Sequence, residues 1–297
     1  SLTEDKLKLG YFPGCSQTGT AKEYDISLRK VVEKLGASFD EIQDWTCCGA
    51  TSAHVTNHLL ANSLSMRNIA LAEQQGLDDI VAPCAACYNR LVTSQHEIQT
   101  HPELKQEVEL VLDKKLGKEI KVMNLIELFM KIGSEKITAN RIKELKNLKV
   151  ACYYGCLLVR PAAITHFDDA EQPSSMESLV ELTGAKPVDW NYKVECCGAA
   201  HTLARRDIVL DLSKKILDDA KEHGANVMVV ACPMCHSNLD MRQRAMKREY
   251  PEHKDFPVLY LTELLGLALG MDEKELGINK HTVEFKYNEL PADKAAV

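Results

Sequence analysis

Apolar positions along the chain fall into two alternating textures. Short strand-like runs occur at LKLGYFPGC (7–15), DDIVAPCAAC (78–87), LKVACYYGC (148–156) and NVMVVACPMC (226–235). Longer stretches of helical character lie between them: SLRKVVEKLG (27–36), LLANSLSMRNIALAEQQG (59–76), PELKQEVELVLDKKLG (102–117) and DIVLDLSKKILDDAKEHG (207–224). Each of these ends at a glycine, the residue that most readily takes the left-handed backbone of a helix C-terminus. Strands alternating with helices predict βαβ units and a parallel sheet.

The pattern then repeats. Residues 7–15 match 148–156, 59–76 match 207–224, 78–87 match 226–235, and LIELF (125–129) matches LTELL (261–265). Each half also carries the triplet Cys-Cys-Gly, at 47–49 and 196–198. The expected fold class is α/β, with two duplicated Rossmann-like α/β domains related by pseudo-two-fold symmetry, each built on a small, mostly parallel sheet. The polar stretch NRIKELKNLK (140–149) places the boundary, giving an N-terminal domain over 1–147 and a C-terminal domain over 148–297. Halves of that length fit ordinary domain size.

Composition narrows the class. A net charge of −7 and the lack of a basic stripe argue against a nucleic-acid partner, since phosphate binding needs a basic face. The longest apolar run, FPVLYLTELLGLALGM (256–271), is too short for a membrane span and is broken by Thr262 and Glu263. Its VLYLTELLGLALG portion reads as a core helix or as an apolar docking face. SLTEDKLKLG at the N-terminus has no signal-peptide core, so the expected compartment is the cytoplasm, with no direct membrane insertion. In that setting 11 cysteines read as metal-binding or redox groups rather than a disulfide framework.

Ten of them obey the repeat. Cys15, Cys47, Cys48, Cys84 and Cys87 in the first half answer to Cys156, Cys196, Cys197, Cys232 and Cys235 in the second, leaving Cys152 as a packed thiol. Buried free thiols would not duplicate their own spacing. A structural zinc in one half needs four thiolates and leaves a fifth unexplained. An iron–sulfur cluster uses several thiolates around several irons, and five donors suit a cluster larger in its contacts than a cube. Gly49 and Gly198 would supply the tight turn beside it. Weaker candidates are His236, able to hydrogen-bond a cluster sulfur, and Arg160, able to pair with an anionic substrate group or simply a surface residue. His54, His58 and His201 read as solvated or supporting histidines. There is no ferredoxin-type cysteine run and no Gly-x-Gly-x-x-Gly turn, so no flavin or nicotinamide is expected on this chain and electrons must come from a partner.

The motifs YFPGC (11–15), CCGA (47–50), PCAAC (83–87), YYGCLLVRP (153–161), CCGAA (196–200), CPMC (232–235) and ELLGLALGMDEKELGINKH (263–281) resemble those of the B subunit of heterodisulfide reductase, within the CCG (cysteine-rich) domain family. The resemblance spans essentially the whole chain. It implies two noncubane [4Fe-4S] clusters, each bound by one of the two sets of five cysteines named above. It implies disulfide oxidoreductase activity on a small-molecule disulfide or thiol such as CoM-S-S-CoB, with Cys48 and Cys197 as catalytic residues alongside the clusters. It also implies a C-type subunit carrying cubane [4Fe-4S] clusters and a flavin-containing A-type subunit as partners. The competing reading is a non-catalytic electron-transfer subunit of a dehydrogenase or quinone-linked complex, or zinc in one half.

Overall fold

The computed structural model describes residues 7–50, 56–202 and 204–290. The first half runs β1 (Leu7–Tyr11), α1 (Gly14–Thr18), α2 (Lys22–Lys34), β2 (Ala37–Glu41), α3 (His58–Gln74), β3 (Asp79–Val81), α4 (Ala85–Thr100), α5 (Pro102–Leu112), β4 (Lys121–Met123), α6 (Leu125–Ile132) and α7 (Ser134–Asn140). The second runs β5 (Lys149–Tyr153), α8 (Ala162–Thr165), α9 (Ser175–Glu181), β6 (Lys186–Pro187), α10 (Arg206–Glu222), β7 (Val227–Val230), α11 (Pro233–His236), α12 (Gln243–Glu249), β8 (Val258–Tyr260), α13 (Leu261–Ala268) and α14 (Glu273–Leu276). A π-helical turn, Ser237–Met241, separates α11 from α12.

The duplication is visible in the sheets. One has strand order β2-β1-β3-β4 and the other β6-β5-β7-β8, and every neighbouring pair is parallel. The order reverses between β1 and β3 in one sheet and between β5 and β7 in the other. Loops leaving the strands there diverge to opposite faces and open a crevice at the carboxyl edge. Central strands buried on both faces read as near-continuous apolar runs, as Val227–Val230 does, with all four residues buried.

Local chemistry explains most element ends. Gly36, Gly76 and Gly224 take positive φ just past α2, α3 and α10, as expected. The helix starting at Pro102 differs: it stops at Leu112, where Asp113 adopts the left-handed conformation (φ 49°, ψ 42°), short of Gly117. Asp tolerates that region better than most residues, so it ends the helix first. The glutamate shared by LIELF and LTELL has one job in both halves. Glu127 Oε2 accepts the Asn124 N–H at 2.9 Å and Glu263 Oε2 accepts the Tyr260 N–H at 2.8 Å, fixing the starts of α6 and α13. Glu263 is fully buried and is matched by His281 Nε2 at 2.8 Å. Every residue of α13 is buried, so the apolar stripe is a core helix.

The halves join by exchanged contacts. Helix α2 packs on α13 and α9 on α6, while α1 meets α11 and α8 meets α4. Each pairing is the other's counterpart with the halves swapped, the relation a pseudo-two-fold axis produces. Tyr24 stacks on Tyr260 (centroids 4.3 Å, 7° between planes), and Ser27 Oγ lies 2.7 Å from Thr262 Oγ1, both residues being fully buried. Asn89 Nδ2 donates to the carbonyls of Leu157 (2.9 Å) and Arg160 (2.7 Å), and Tyr88 donates to the Thr165 carbonyl at 3.2 Å. Ser27→Ala removes the Thr262 hydroxyl's partner, and urea unfolding of that variant is expected to show a loss of about 1–3 kcal/mol. The Ser27→Ala/Thr262→Val pair, with both hydroxyls gone, should recover part of it.

Candidate metal centre

The ten repeated cysteines sit where the sheet topology opens. Cys15 follows β1 and Cys84 follows β3; Cys156 follows β5 and Cys232 follows β7. Both crevices are thus edged by cysteine on their two sides. Cys84 is the residue before the first turn of α4, and Cys232 holds the same place before α11, so the second cysteine of each Cys-x-x-Cys falls in that turn. First-turn N–H groups act to lower the pKa of the leading sulfur: that of Cys87 on Cys84, and those of Cys235 and Met234 on Cys232. Exposed amides at a helix start favour thiolate over thiol.

Two of the sulfur contacts recur in both halves. Cys48 Sγ and Cys87 Sγ are 3.2 Å apart, and Cys197 Sγ and Cys235 Sγ are 3.7 Å apart. The N–H of Gly49 donates to Cys47 Sγ at 3.4 Å, and that of Gly198 to Cys196 Sγ at 3.3 Å; both glycines hold a φ of +80°. The remaining influences differ between the halves: Cys47 lowers the pKa of Cys48 in the first, and Cys156 lowers that of Cys196 in the second. The two groups come together at the interface between halves, where Cys84 and Cys232 lie near enough for each to shift the other's thiol pKa, Cys84 upward and Cys232 downward.

Shared protons leave some of these sulfurs acidic. Hydrogen bonds from Cys47 and Cys87 bring the Cys48 thiol down to about 4, against burial. A hydrogen bond from Cys156 brings Cys196 down to about 6. Cys197, bonded to Cys235, is lowered too, and Cys232 falls well below the usual thiol range through Cys235 and then Cys84. Their partners Cys47, Cys156, Cys87 and Cys235 are pushed up by the same hydrogen bonds and by burial. A thiol must lose its proton to bind metal, so each half has sulfurs already biased that way.

A cradle surrounds the sulfurs. Gly14 (φ +73°) and Gly155 (φ +67°) lie so close to the second cysteine of the facing Cys-x-x-Cys that an added Cβ would come within 3.0 Å of Cys87 Sγ and 3.2 Å of Cys235 Sγ. Both the backbone angle and the approach call for glycine. Among the described residues no three of His, Cys, Asp or Glu are placed to hold a metal ion, so a single-ion zinc site has no assembled ligand set. Five thiols per half at the crevice edge, with Cys48 of one half and Cys196, Cys197 and Cys232 of the other biased toward thiolate and with glycine beside them, are in kind the donor set of an iron–sulfur cluster, whose several irons keep their thiolates apart.

The remaining sequence candidates sit as follows. Cys152 is fully buried inside β5, its thiol pushed up by burial and its carbonyl accepting the Trp190 indole N–H at 3.2 Å. Arg160 makes a two-pronged pair with Glu171 at 3.0 Å on the surface. His236 is buried, stacks on Tyr260 at 4.2 Å and donates from Nε2 to the Val258 carbonyl at 3.0 Å. That bond fixes its proton on Nε2, and burial holds the ring neutral, so Nδ1 is left as an acceptor. His58 pairs with Glu97 at 2.9 Å; His201 is exposed and favours the Cys196 thiolate; His54 lies outside the described residues.

Sequence patterns do not single out three further residues of the site. Tyr24, buried under the junction, feels both Cys232 and Cys84 after burial itself as the causes of its raised phenol pKa, and donates to the Pro83 carbonyl at 2.9 Å. Ser65 donates to the Cys48 carbonyl at 2.6 Å, and Asn238 to the Cys197 carbonyl at 3.2 Å. Ser65 sits at the helical spacing of the buried face of α3, and nothing else in the sequence marks it; Tyr24 and Asn238 carry no local signal.

Known proteins echo this architecture. The profile of the cysteine-rich domain, CCG, matches twice, at residues 9–92 and 150–240. The B subunit of the Ferredoxin/F(420)H(2)-dependent CoB-CoM heterodisulfide reductase of Methanosarcina acetivorans is 32% identical over 93% of this chain and 94% of its own. The 8-methylmenaquinol:fumarate reductase membrane anchor subunit of Wolinella succinogenes is 30% identical over 93% of this chain and 97% of its own. Among the described residues of this chain, no helix is long and apolar enough to cross a membrane. A hypothetical protein from Helicobacter pylori of known structure has a TM-score of 0.74 at 12% identity, covering 95% of this chain; the chain spans 53% of that protein's length, and the likeness supports the fold alone. With both profile matches spanning a sheet and its cysteines, the chain belongs to the cysteine-rich (CCG) domain family as a duplicated member.

Proposed function

We propose that the chain is the catalytic iron–sulfur subunit of a heterodisulfide-reductase-like complex, reducing or forming a disulfide such as CoM-S-S-CoB between two noncubane [4Fe-4S] clusters. Cys15, Cys47, Cys48, Cys84 and Cys87 hold one cluster, and Cys156, Cys196, Cys197, Cys232 and Cys235 hold the other. The observation that supports this reading is the nearness of Cys84 to Cys232 across the junction of the halves, each shifting the other's thiol pKa, which favours two neighbouring ligand groups over two on opposite faces.

The chemistry needs that adjacency. Reduction follows RS–SR′ + 2e⁻ + 2H⁺ → RSH + R′SH, a two-electron demand met between two neighbouring centres. Iron–sulfur clusters, when bound, supply electrons one at a time. The protein's part is to keep both ligand groups together, with Cys48 of one half and Cys196, Cys197 and Cys232 of the other biased toward thiolate, and screened by Tyr24 below. Exposed Cys15 and Cys196 lie on the solvent side of each group, where a small substrate enters. Electrons arrive from a C-type subunit with cubane clusters, fed by a flavin-containing A-type subunit. A second reading draws on the equally extensive likeness to the fumarate reductase subunit: an electron-transfer subunit serving a quinone-linked complex, with no substrate of its own.

Anaerobic reconstitution is expected to load about eight irons per chain, with matching sulfide, as two four-iron clusters require. With a reduced viologen dye as donor, the loaded chain should consume CoM-S-S-CoB, and Cys48→Ala or Cys197→Ala should each cut turnover at least about 100-fold, roughly 2.7 kcal/mol in the barrier. Full disulfide turnover in either variant would overturn the two-centre reading. A loaded chain that exchanges electrons with the dye yet never consumes disulfide would favour the electron-transfer alternative.

A further inference from the structure

In both halves the first cysteine of Cys-Cys-Gly takes the N–H of the glycine after it, and the halves differ in the side chain that holds the second cysteine. Cys48 has its carbonyl held by the Ser65 hydroxyl at 2.6 Å. Cys197 has its carbonyl held by Asn238 Nδ2 at 3.2 Å, and the same nitrogen lies 3.6 Å from Cys197 Sγ. A hydroxyl has one hydrogen, while a primary amide nitrogen has two. Ser65 commits its only proton to the carbonyl and leaves the Cys48 sulfur to the backbone N–H of Ala50, while Asn238 has one proton for the carbonyl and one as a side-chain donor for the sulfur.

The amide's orientation is determined by its other end. Thr202 Oγ1 donates to Asn238 Oδ1 at 3.0 Å, and turning the amide over would set Oδ1 against the Cys197 carbonyl oxygen. Asn238 is fully buried and stands in the π-helical turn, an irregularity often found where function needs a side chain re-aimed. In the first half the position three residues past Cys87 lies in regular α4 and is Arg90. Its guanidinium turns instead to Asn62 (3.0 Å) and Ser94 (2.9 Å).

We propose that Asn238 is a positioning residue that makes the two metal centres unequal: its amide N–H on Cys197 Sγ renders the C-terminal centre the easier of the two to reduce. The inference rests on the iron–sulfur reading above. A hydrogen bond donated to a ligand sulfur stabilises the more negative, reduced state and raises the reduction potential. The centre holding Cys197 therefore takes the first electron, and the centre holding Cys48 the second.

The test is an EPR-monitored redox titration of the reconstituted full chain, with Cys197→Ala identifying which signal belongs to the C-terminal centre. That signal should titrate at the higher potential in the unaltered protein. Asn238→Ser, which leaves one proton for the carbonyl as in the first half, should move it to lower potential while the N-terminal signal stays in place. Thr202→Val, which keeps Asn238 but frees its amide to rotate, should move it in the same direction and serves if the first variant folds poorly. A C-terminal signal that holds its potential in both variants, or two signals that shift together, overturns the proposal alone. A chain that takes up no iron overturns the parent reading, and this inference with it.

Discussion

Cys84 and Cys232 come near one another because each follows the same strand in one of two like sheets, and the rest of the molecule maintains that encounter. Parallel strands deliver Cys15 and Cys84 to one crevice and Cys156 and Cys232 to the next. The Tyr24–Tyr260 stack and the Ser27–Thr262 pair close the interface beneath them. Burying so many sulfurs together is costly, and the chain answers by letting neighbours share protons. Cys48 and Cys196 turn acidic because Cys47, Cys87 and Cys156 do not.

Much of this was legible in the sequence, for a physical reason. Cysteine is rare enough that ten of them at duplicated spacing stand above chance, and the strands before them are buried on both faces and so uniformly apolar. The all-parallel pairing and the glycine ends of α2, α3 and α10 followed from the same patterns. The early stop of α5 at Asp113 did not, because a left-handed aspartate competes with a glycine only when tertiary contacts choose between them. The two-residue strand β6 is too short to leave a periodic trace. Asn238 was invisible because the sulfur it meets lies 41 residues away, and Tyr24 because it answers to a cysteine of the opposite half.

Kinship with both a heterodisulfide reductase subunit and a fumarate reductase subunit shows that one paired scaffold serves different redox complexes. What would separate such uses is small: which sulfur receives a hydrogen bond, and which side chains follow each Cys-x-x-Cys. His236 and Tyr88 occupy equivalent places after Cys235 and Cys87, yet one donates to the Val258 carbonyl of its own sheet and the other to the Thr165 carbonyl across the interface.

The exchanged helix contacts carry a historical implication. When α2 meets α13 as α9 meets α6, and α1 meets α11 as α8 meets α4, the interface has the self-complementary form of a two-fold homodimer. A half-length ancestor could have paired with its own twin through the same surfaces, its metal sites identical by necessity. Joining the twins into one polypeptide leaves each copy free to mutate alone, and an arginine three residues past one Cys-x-x-Cys against an asparagine past the other is a divergence of that kind.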